Sequence, residues 1–309
     1  MIRQALLGLS RQKKIAEISA NAPITRNVVA RFVAGETEPD AVRAAGELAT
    51  EGLLSTIDHL GEDTLDLAQA TATVDAYLRL LAGIDDAGLA AAAEVSVKLS
   101  AVGQALPGDG EKIALEHARA IAQKAHEIGT TVTLDMEDHT TTDSTLGVLQ
   151  ELRKDFPSTG AVLQAYLYRT EQDCRDLAYA GSRIRLCKGA YKEPESVAFQ
   201  GKTDVDKSYV RCMRILFDSD CYPMIASHDP RLIEIAGALA TRADRAKGTY
   251  EHQMLYGVRP DEQRRLAKAG ERVRVYIPYG AEWYGYMVRR MAEKPANLAL
   301  FVKSMTSKG

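Results

Sequence analysis

Cysteines and aromatic residues are scarce in this sequence, and neither sign of charge is in marked excess. Four cysteines stand among 309 residues, at Cys174, Cys187, Cys212 and Cys221, with no C-x-x-C pair and no other metal-ligand spacing. We therefore expect reduced thiols, a cytosolic setting and no bound metal. The formal net charge of −3 gives no electrostatic argument for nucleic-acid binding, so no nucleic-acid partner is expected.

Long apolar runs are also missing, as are glycine-rich phosphate-binding motifs. The apolar patch that follows Ile2 is broken by Arg11, Lys13 and Lys14, so neither a signal peptide nor a membrane-spanning segment is predicted. These absences still permit peripheral attachment to a membrane surface. Neither a GxGxxG motif nor a P-loop follows any apolar run, which argues against a dinucleotide-binding open sheet.

The chain does contain a regular alternation of short β-rich runs and amphipathic helical patterns. Residues 1–50 read as a helical segment without strands, and residues 51–309 contain the alternation. Strands are predicted at Leu53–Ile57, Glu94–Leu99, Thr131–Met136, Ala161–Leu167, Arg183–Lys188, Pro223–His228, Thr249–Leu255 and Arg272–Pro278. Helices are predicted at Thr64–Leu81, Glu111–Ile128, Ser144–Phe156, Glu171–Tyr179, Asp204–Asp218, Arg231–Thr241, Pro260–Lys268 and Ala281–Glu293.

Eight βα units over about 250 residues predict the α/β class and a parallel (β/α)₈ barrel of the TIM type. We expect two domains, an N-terminal helical extension over residues 1–50 and a barrel over residues 51–309. The last helix is expected to pack over the C-terminal mouth of the barrel. An open doubly wound sheet is the alternative architecture.

Alternate residues of the predicted strands separate into a polar class and an apolar class. Successive side chains of a strand point to opposite faces, so one class should point into the barrel. The polar class consists of Ser96, Lys98, Thr133, Asp135, Gln164, Tyr166, Arg183, Arg185, His228, Glu251, Gln253, Arg274 and Tyr276. A purely structural barrel fills its centre with branched aliphatic residues, so ionisable groups near the carboxyl ends of strands favour an enzyme.

The last predicted helix carries two adjacent arginines beside a tyrosine and a glutamate. On a helix, Tyr286 shares a face with Arg289 and Arg290, and Glu293 follows one turn later. This set of side chains could bind a small carboxylate. The alternative is a solvated helix face whose ion pair contributes only about 0.3–0.5 kcal/mol. The local clustering of aromatics favours a pocket, since aromatics make up only 6% of the chain.

Lys98 and Asp135 each permit more than one interpretation. Lys98 could form a Schiff base with a carbonyl substrate, or it could be a fixed cation for a carboxylate. A structural ion pair of Lys98 with Asp135 or with Glu62 is as good an interpretation from these residues alone. Two rival functions therefore remain, namely a Schiff-base lyase or aldolase and a barrel that binds a carboxylate without catalysis.

Several segments taken together resemble proline dehydrogenases, flavin-dependent enzymes that oxidise L-proline to Δ1-pyrroline-5-carboxylate. The matching segments are Asp58–Glu62, Val95–Leu99, Leu134–Glu137, Leu163–Tyr166, Arg185–Tyr191, Ala226–His228, Tyr250–Gly257, Tyr276–Pro278 and Tyr286–Glu293. They fall on the predicted strands and on the last helix. The resemblance implies a monofunctional, FAD-dependent proline dehydrogenase with a (β/α)₈ barrel.

The resemblance also implies roles for individual residues. The substrate carboxylate would be held by Lys98, Arg289 and Arg290. The substrate ring would be enclosed by Tyr276, Tyr286, Leu255, Ala190 and Tyr191. Asp135 and Arg185 would be catalytic, with Asp135 fixing Lys98 and with Arg185 beside the flavin N5, where it stabilises developing negative charge. Glu62 is expected to form a gate-like ion pair with Arg289 across the entrance.

A second group of residues is implied to bind the cofactor. The expected FAD contacts are Met136, Gln164, Arg185, Lys188, Gly189, Ala190, Ser227, His228 and Glu293. Without the resemblance, His228 reads as a neutral, hydrogen-bonded core histidine. The implied partners are L-proline, a membrane quinone as electron acceptor and a separate pyrroline-5-carboxylate dehydrogenase. The implied location is cytoplasmic, with peripheral contact at the inner face of the membrane.

One segment departs from the family pattern. Lys192-Glu193-Pro194 follows Tyr191, where the family often has an aromatic residue next. The polar stretch Glu195–Asp204 that comes after it is predicted to be a loop. This departure concerns local contacts to FAD or to the entrance, and it leaves the expected reaction unchanged.

Overall fold

Eight short strands pair in chain order, and the eighth strand pairs with the first. The structure is a computed structural model that describes residues 29–62, 64–283 and 286–287. The strands are β1 (Leu54–His59), β2 (Ala93–Lys98), β3 (Val132–Asp135), β4 (Gly160–Gln164), β5 (Arg183–Cys187), β6 (Tyr222–Ala226), β7 (Glu251–Leu255) and β8 (Val273–Tyr279). All neighbours are parallel and the barrel is closed. The predicted barrel is therefore confirmed, and the open sheet is wrong.

Helices follow β1 to β7 as predicted, with ends that differ by a few residues, whereas most of the predicted helix Ala281–Glu293 lies outside the described residues. They are α1 (Glu38–Thr50), α2 (Leu67–Asp86), α3 (Gly110–Glu127), α4 (Thr142–Arg153), α5 (Thr170–Leu177), α6 (Lys202–Phe217), α7 (Pro230–Arg242) and α8 (Pro260–Lys268). Short 3₁₀ helices follow β2 at Leu99–Val102 and β3 at His139–Thr141. Helix α2 begins where the Asp66 carboxylate accepts a hydrogen bond from the Gln69 amide, 2.9 Å away. No helix within the described ranges is both long and apolar enough to cross a bilayer.

The chain that precedes β1 packs against the end of β8 and the loop after β7. The Ala34 amide donates to the Pro278 carbonyl at 3.0 Å. A Cβ added to Gly257 would lie 1.6 Å from the Arg31 carbonyl oxygen, so only glycine permits this close approach. Residues 1–28 lie outside the described residues, and the domain boundary after residue 50 stays a prediction.

The apolar class of strand residues points outward, toward the helices. Val95, Val97, Leu134, Leu186 and Ile277 belong to one buried hydrophobic cluster with the inner faces of the helices. Helix α1 joins the same cluster through three small residues, namely Ala41, Ala44 and Ala45. Burial of this layer supplies the main driving force for folding.

Most of the polar class points into the lumen, as the parity of the strands predicted, whereas Tyr166 and His228 lie in loops beyond the ends of β4 and β6. Arg185 of β5 donates from Nη1 to Ser96 Oγ of β2 at 2.9 Å, a contact between strands that are not neighbours. Such a bond can form only across the centre of the barrel. Among the described residues, the lumen contains four cationic side chains, Lys98, Arg183, Arg185 and Arg274, and four anionic ones, Asp58, Glu94, Asp135 and Glu251.

In the lower half of the lumen, two glutamates and two arginines form an ionic array that joins four strands, β2, β5, β7 and β8. Arg183 donates to Glu94 at 2.5 Å, and Arg274 donates to Glu251 at 2.7 Å while lying 3.8 Å from Glu94. Burial alone would raise the pKa of Glu251, but the attraction of Arg274 and Arg183 lowers it to about 2. Both glutamates are therefore ionised at neutral pH, where their charges match the arginines.

Removing one charge from this array should strongly destabilise the barrel. In the Glu94→Gln variant, Arg183 and Arg274 lose a buried counter-ion, and we expect a loss of about 3–5 kcal/mol in the free energy of unfolding. Urea denaturation measures this loss. Glu116→Gln is the matched control, because the Glu116 side chain is 65% exposed and lies 4.0 Å from Lys112. Equal stability of the two variants would contradict the role given to the array.

Candidate active site

Lys98 lies at the carboxyl end of β2, where its ammonium group is bound by one carboxylate. Its Nζ donates to both oxygens of Asp58 at 2.6 Å. Burial alone would lower the pKa of Lys98, but Asp58, with smaller effects of Asp135 and Glu62, raises that pKa above the ordinary value of a lysine. The lysine is therefore a fixed cation at neutral pH.

The direct partner of Lys98 differs from both residues that the sequence offered. Asp135 had been expected to fix Lys98, and Glu62 was the other candidate. Asp135 is the register neighbour of Lys98 in the β2–β3 pair, but its two carboxylate oxygens accept hydrogen bonds from Arg185 and Tyr276. The expectation of direct fixation by Asp135 is therefore wrong, and the counter-ion is Asp58. Asp135 acts on Lys98 only through its charge.

Asp135 joins Arg185 to Tyr276 across the upper lumen. Arg185 Nη1 donates to Asp135 Oδ1 at 2.6 Å, and the Tyr276 hydroxyl donates to Asp135 Oδ2 at 2.7 Å. The Arg185 guanidinium carbon also lies 5.4 Å from the centre of the Tyr276 ring. The structure thus brings together three of the predicted site residues from β3, β5 and β8.

Arg185 is held from below by a chain of hydrogen bonds that leads to the lower ionic array. Its Nε donates to Gln253 Oε1 at 2.6 Å, and Gln253 Nε2 donates to Glu251 Oε1 at 2.6 Å. The remaining nitrogen, Nη2, is buried and has no hydrogen-bond partner among the described residues, with Glu94 3.8 Å away. The nearest acceptor to this buried donor is therefore the Glu94 carboxylate, which pairs with Arg185 as an ion rather than through a hydrogen bond.

Glu137 is a buried carboxyl group at the rim, next to Met136 and close to Lys98. Its two oxygens accept from the Ser100 hydroxyl at 2.6 Å and the Ser100 amide at 3.1 Å. Its main-chain carbonyl accepts from Gln164 Nε2 at 2.7 Å. Burial raises the pKa of Glu137 to about 7, against the opposing effect of the Ser100 hydrogen bonds. The hydrogen bonds of Glu137 to Ser100 and Gln164 join the ends of β2, β3 and β4.

The loop after β5 carries four of the expected cofactor and substrate contacts. Lys188 donates from Nζ to Asp206 at 2.5 Å and lies 3.5 Å from Asp229, so its charge is already shared by two carboxylates. Gly189 has a φ of +112°, and a Cβ there would lie 2.4 Å from the Tyr166 ring. Ala190 is exposed and Tyr191 is half-buried.

The ends of β6 and β7 meet through His228. Its Nε2 accepts a hydrogen bond from the Leu255 amide at 2.8 Å, so this nitrogen carries no proton in the observed geometry. This agrees with the hydrogen-bonded, neutral histidine expected without the resemblance. Ser227 Oγ accepts from the Asp229 amide at 3.1 Å. Ser227, His228 and Leu255 thus lie together on the side of the mouth opposite β2 and β3.

The described residues place most of the predicted site at the carboxyl rim, but not all of it. Glu62 lies half-buried in the loop after β1. Tyr286 has helical backbone geometry, and its side chain is buried. Arg289, Arg290 and Glu293 lie outside the described residues. The packing of the last helix over the mouth and the ion pair of Glu62 with Arg289 therefore stay predictions.

Sequence reasoning assigned no role to several residues that organise the site: Asp58, Glu94, Glu137, Glu193 and Gln253. The first strand was predicted to end at Ile57, whereas β1 continues to His59 and so carries Asp58 into the lumen opposite Ser96. Strand parity would have found Asp58, because it lies two residues after Thr56 on the inward face. Gln253 was in the polar class, but its link to Arg185 depends on distances across the barrel.

A closed parallel barrel with charged groups at its carboxyl rim defines an enzyme of the (β/α)₈ class. Comparisons with known proteins agree with this class. The model of the proline dehydrogenase family matches residues 41–302. Proline dehydrogenase 1 of Bacillus subtilis (strain 168) is 37% identical over 308 residues, covering 100% of both chains. Proline dehydrogenase of Deinococcus radiodurans is 39% identical, covering 99% of this chain and 98% of that one.

A solved structure gives the same result at the level of the fold. Proline utilization A from Bdellovibrio bacteriovorus, inactivated by N-propargylglycine, superposes with a TM-score of 0.80 at 25% identity. The match covers 92% of this chain and 34% of that longer chain. This chain belongs to the proline dehydrogenase family. Its activity is therefore that of a proline dehydrogenase, the first step of proline catabolism.

Replacing Asp58 should make the charge of Lys98 depend on pH. In the Asp58→Asn variant the main counter-ion is lost while burial remains, so the pKa of Lys98 should fall. The proline KM should then rise between pH ~7 and ~10 more steeply than in the wild type, where Lys98 stays protonated. Steady-state oxidation of L-proline across this range measures the effect.

Asp66→Asn is the matched control for this prediction. Asp66 lies in the loop after β1 and caps α2, and asparagine caps a helix about as well as aspartate. Its KM should follow the wild type at every pH. A pH profile of Asp58→Asn that coincides with the wild type would show that Asp58 does not control the charge of Lys98.

Proposed function

We propose that this chain uses bound FAD to oxidise L-proline to Δ1-pyrroline-5-carboxylate and passes the electrons to a membrane quinone. Membership of the proline dehydrogenase family supports the substrate. The observation that carries the proposal is the rim arrangement itself, in which a protonated Lys98 lies close to the Arg185–Asp135–Tyr276 group. The Lys98 ammonium group suits the binding of a carboxylate, and the Arg185–Asp135–Tyr276 group suits a cofactor that gains negative charge.

The residues at the rim fit a flavin. Arg185 is a buried cation held in place by Asp135, so its charge can stabilise negative charge on a cofactor at the rim. Gly189 lets the Tyr166 ring pack directly against the backbone of the loop after β5, and Lys188 in the same loop is a cation that suits a phosphate group. The residues that would hold FAD are Met136, Gln164, Arg185, Lys188, Gly189, Ala190, Ser227, His228 and Glu293. When bound, the flavin accepts the hydride equivalent that leaves C5 of the proline ring.

Each residue of the chain then has a physical task. Lys98, together with Arg289 and Arg290, binds the proline carboxylate and so fixes the orientation of the ring. Tyr276, Tyr286, Leu255, Ala190 and Tyr191 enclose the ring and exclude water.

Asp135 holds the side chains of Arg185 and Tyr276 in place, so the positive charge of Arg185 is fixed before the substrate arrives. Glu62 pairs with Arg289 at the entrance, as the resemblance implies.

The Schiff-base alternative requires a neutral Lys98 at working pH. Only the neutral amine is a nucleophile, and barrel lysines that act in this way are desolvated or lie beside another cation. Here Asp58 binds the ammonium group through both oxygens and raises the pKa of Lys98. This environment disfavours the aldolase reading and suits a permanent cation. The other alternative is a barrel that binds a carboxylate without catalysis. Such a protein would transfer no electrons, so a measurement of flavin reduction distinguishes it from an enzyme.

The electron acceptor and the fate of the product complete the proposal. A quinone dissolved in the bilayer requires the protein to meet the membrane at its surface, since no helix in the described part of the chain is long and apolar enough to span it. Exposed Leu65 and Leu67 lie in the β1–α2 region, at the mouth of the barrel. The imine product would pass to a separate pyrroline-5-carboxylate dehydrogenase.

The visible spectrum of the purified protein tests the flavin and the reaction together. We expect a flavin absorption band in the visible region and the loss of that band on anaerobic addition of L-proline. D-Proline, which would direct C5 differently when its carboxylate is bound at Lys98, serves as the control ligand. A protein that stays colourless after FAD is supplied would refute the proposal, and binding of proline without loss of colour would favour a binding-only barrel.

Substitution of either arginine of the last helix tests the carboxylate assignment. Arg289→Met or Arg290→Met should raise the proline KM by orders of magnitude, since a desolvated charge pair worth about 2–5 kcal/mol is lost. Arg264→Met removes an arginine from α8 that pairs with Glu51 at the surface, and its KM should stay at the wild-type value. An unchanged KM in both arginine variants would show that the carboxylate binds elsewhere.

A further inference from the structure

Glu193 is a buried carboxylate in the segment where the sequence departs from the family pattern. The residue is 7% exposed, although its neighbours Lys192, Pro194 and Glu195 are exposed. Its carboxylate lies close to two other loops of the rim. A buried carboxylate costs free energy unless its oxygens accept hydrogen bonds. The donors that bind the Glu193 carboxylate therefore indicate its role.

Three donors from two other loops meet this carboxylate. The His139 amide donates to Oε1 at 2.9 Å, and the Tyr166 hydroxyl donates to the same oxygen at 3.2 Å. The His139 ring forms a short contact from Nδ1 to Oε2. In the described part of the chain, the His139 ring is the only basic side chain within salt-bridge distance of Glu193. We call this group the Glu193 clasp, consisting of His139, Tyr166 and Glu193.

The clasp joins three consecutive loops at the carboxyl rim. His139 opens the 3₁₀ helix after β3, Tyr166 follows β4, and Glu193 follows β5. The second and third loops are also joined by main-chain bonds, from the Tyr166 amide to the Lys188 carbonyl at 2.9 Å and from the Phe199 amide to the Tyr166 carbonyl at 2.8 Å. The loop after β3 has no such main-chain bond to the loop after β5 among the described residues, so Glu193 makes that connection.

The Tyr166 ring connects the Glu193 clasp to Lys188–Ala190, the segment that is expected to contact the cofactor. The ring occupies the space where a side chain on Gly189 would lie, 2.4 Å from the ideal Cβ position. Burial and then Glu193 raise the pKa of Tyr166, so its hydroxyl stays a proton donor. Because the carboxylate fixes the ring and the ring packs on Gly189, displacement of Glu193 should displace the backbone of Lys188, Gly189 and Ala190.

We propose that Glu193 is a positioning residue for the flavin, which sets the Lys188–Ala190 backbone through the ring of Tyr166 and ties it to the loop after β3. This inference rests on the proposed flavin-dependent function. Glu193 itself touches neither cofactor nor substrate in this scheme.

Four variants test the clasp through FAD affinity. Glu193→Ala removes all three acceptor contacts, and the dissociation constant of FAD should rise on the order of 10- to 100-fold. Glu193→Gln keeps one acceptor oxygen and should restore part of the affinity. Tyr166→Phe removes only the hydroxyl and keeps the ring on Gly189, so it should give a smaller rise. Glu195→Ala is the control, because the Glu195 side chain is exposed and the Tyr168 hydroxyl bonds to the main-chain carbonyl of Glu195, which alanine retains.

Hydrogen exchange of the FAD-free protein provides a readout that does not depend on the cofactor. In Glu193→Ala, the amides of Tyr166 and Phe199 should exchange faster, whereas those of β1 and β2 should keep wild-type rates. A uniform rise over the whole barrel, or faster local exchange without a change in FAD affinity, would show a merely structural residue and overturn the proposal. If Glu193→Ala does not fold, Glu193→Gln and Tyr166→Phe decide in the same way.

The two proposals fail in different ways. A wild-type protein that binds no FAD refutes the proposed function and, with it, the positioning role of Glu193. A wild-type protein that binds FAD and loses its colour with proline, while all Glu193 variants bind FAD within about twofold of the wild type, overturns the clasp alone.

Discussion

The balance of charge inside the barrel is the constraint on which the rest of this structure depends. Four cationic and four anionic side chains share a lumen that barrels of this class usually fill with branched aliphatic residues. Each ion is costly to bury, and the cost is offset only if a partner lies within hydrogen-bond distance. A change of one charge therefore affects partners on several strands, from Glu94 below to Asp135 above.

Such an array is a poor source of stability compared with a packed apolar core of the same volume. Its benefit lies in preorganisation, because the upper members of the array are the side chains that face the site. Arg185 is held by Asp135, Ser96 and Gln253, so its guanidinium does not need to reorient when charge develops nearby. Lys98 is held by Asp58 in the same way. The hydrophobic layer between strands and helices supplies the stability that this arrangement requires.

The fold could be predicted from the sequence because it depends on periodicity. Alternation within strands separated Val95 and Val97 from Ser96 and Lys98, and the structure places these two sets on opposite faces. The partners within the lumen could not be predicted, because a contact such as Arg185 to Ser96 depends on the tilt and register of strands far apart in the chain. The same reason explains why Asp135 was assigned to Lys98, its register neighbour, although Asp58 makes the contact.

The rim above the array is organised differently from the lumen, by single contacts that join loops. The carboxyl group of Glu137 joins the ends of β2 and β3 through Ser100, and that of Glu193 joins the loops after β3, β4 and β5. Neither group faces a lysine or arginine within salt-bridge distance in the described ranges, so each relies on neutral donors or on a histidine. Loops joined in this way keep defined positions but can separate at modest cost, which suits a mouth that must admit both a cofactor and a substrate. The charged side chains in the lumen cannot separate without leaving buried charges unpaired. The barrel thus combines a fixed ionic array in the lumen with adjustable loops at the carboxyl rim.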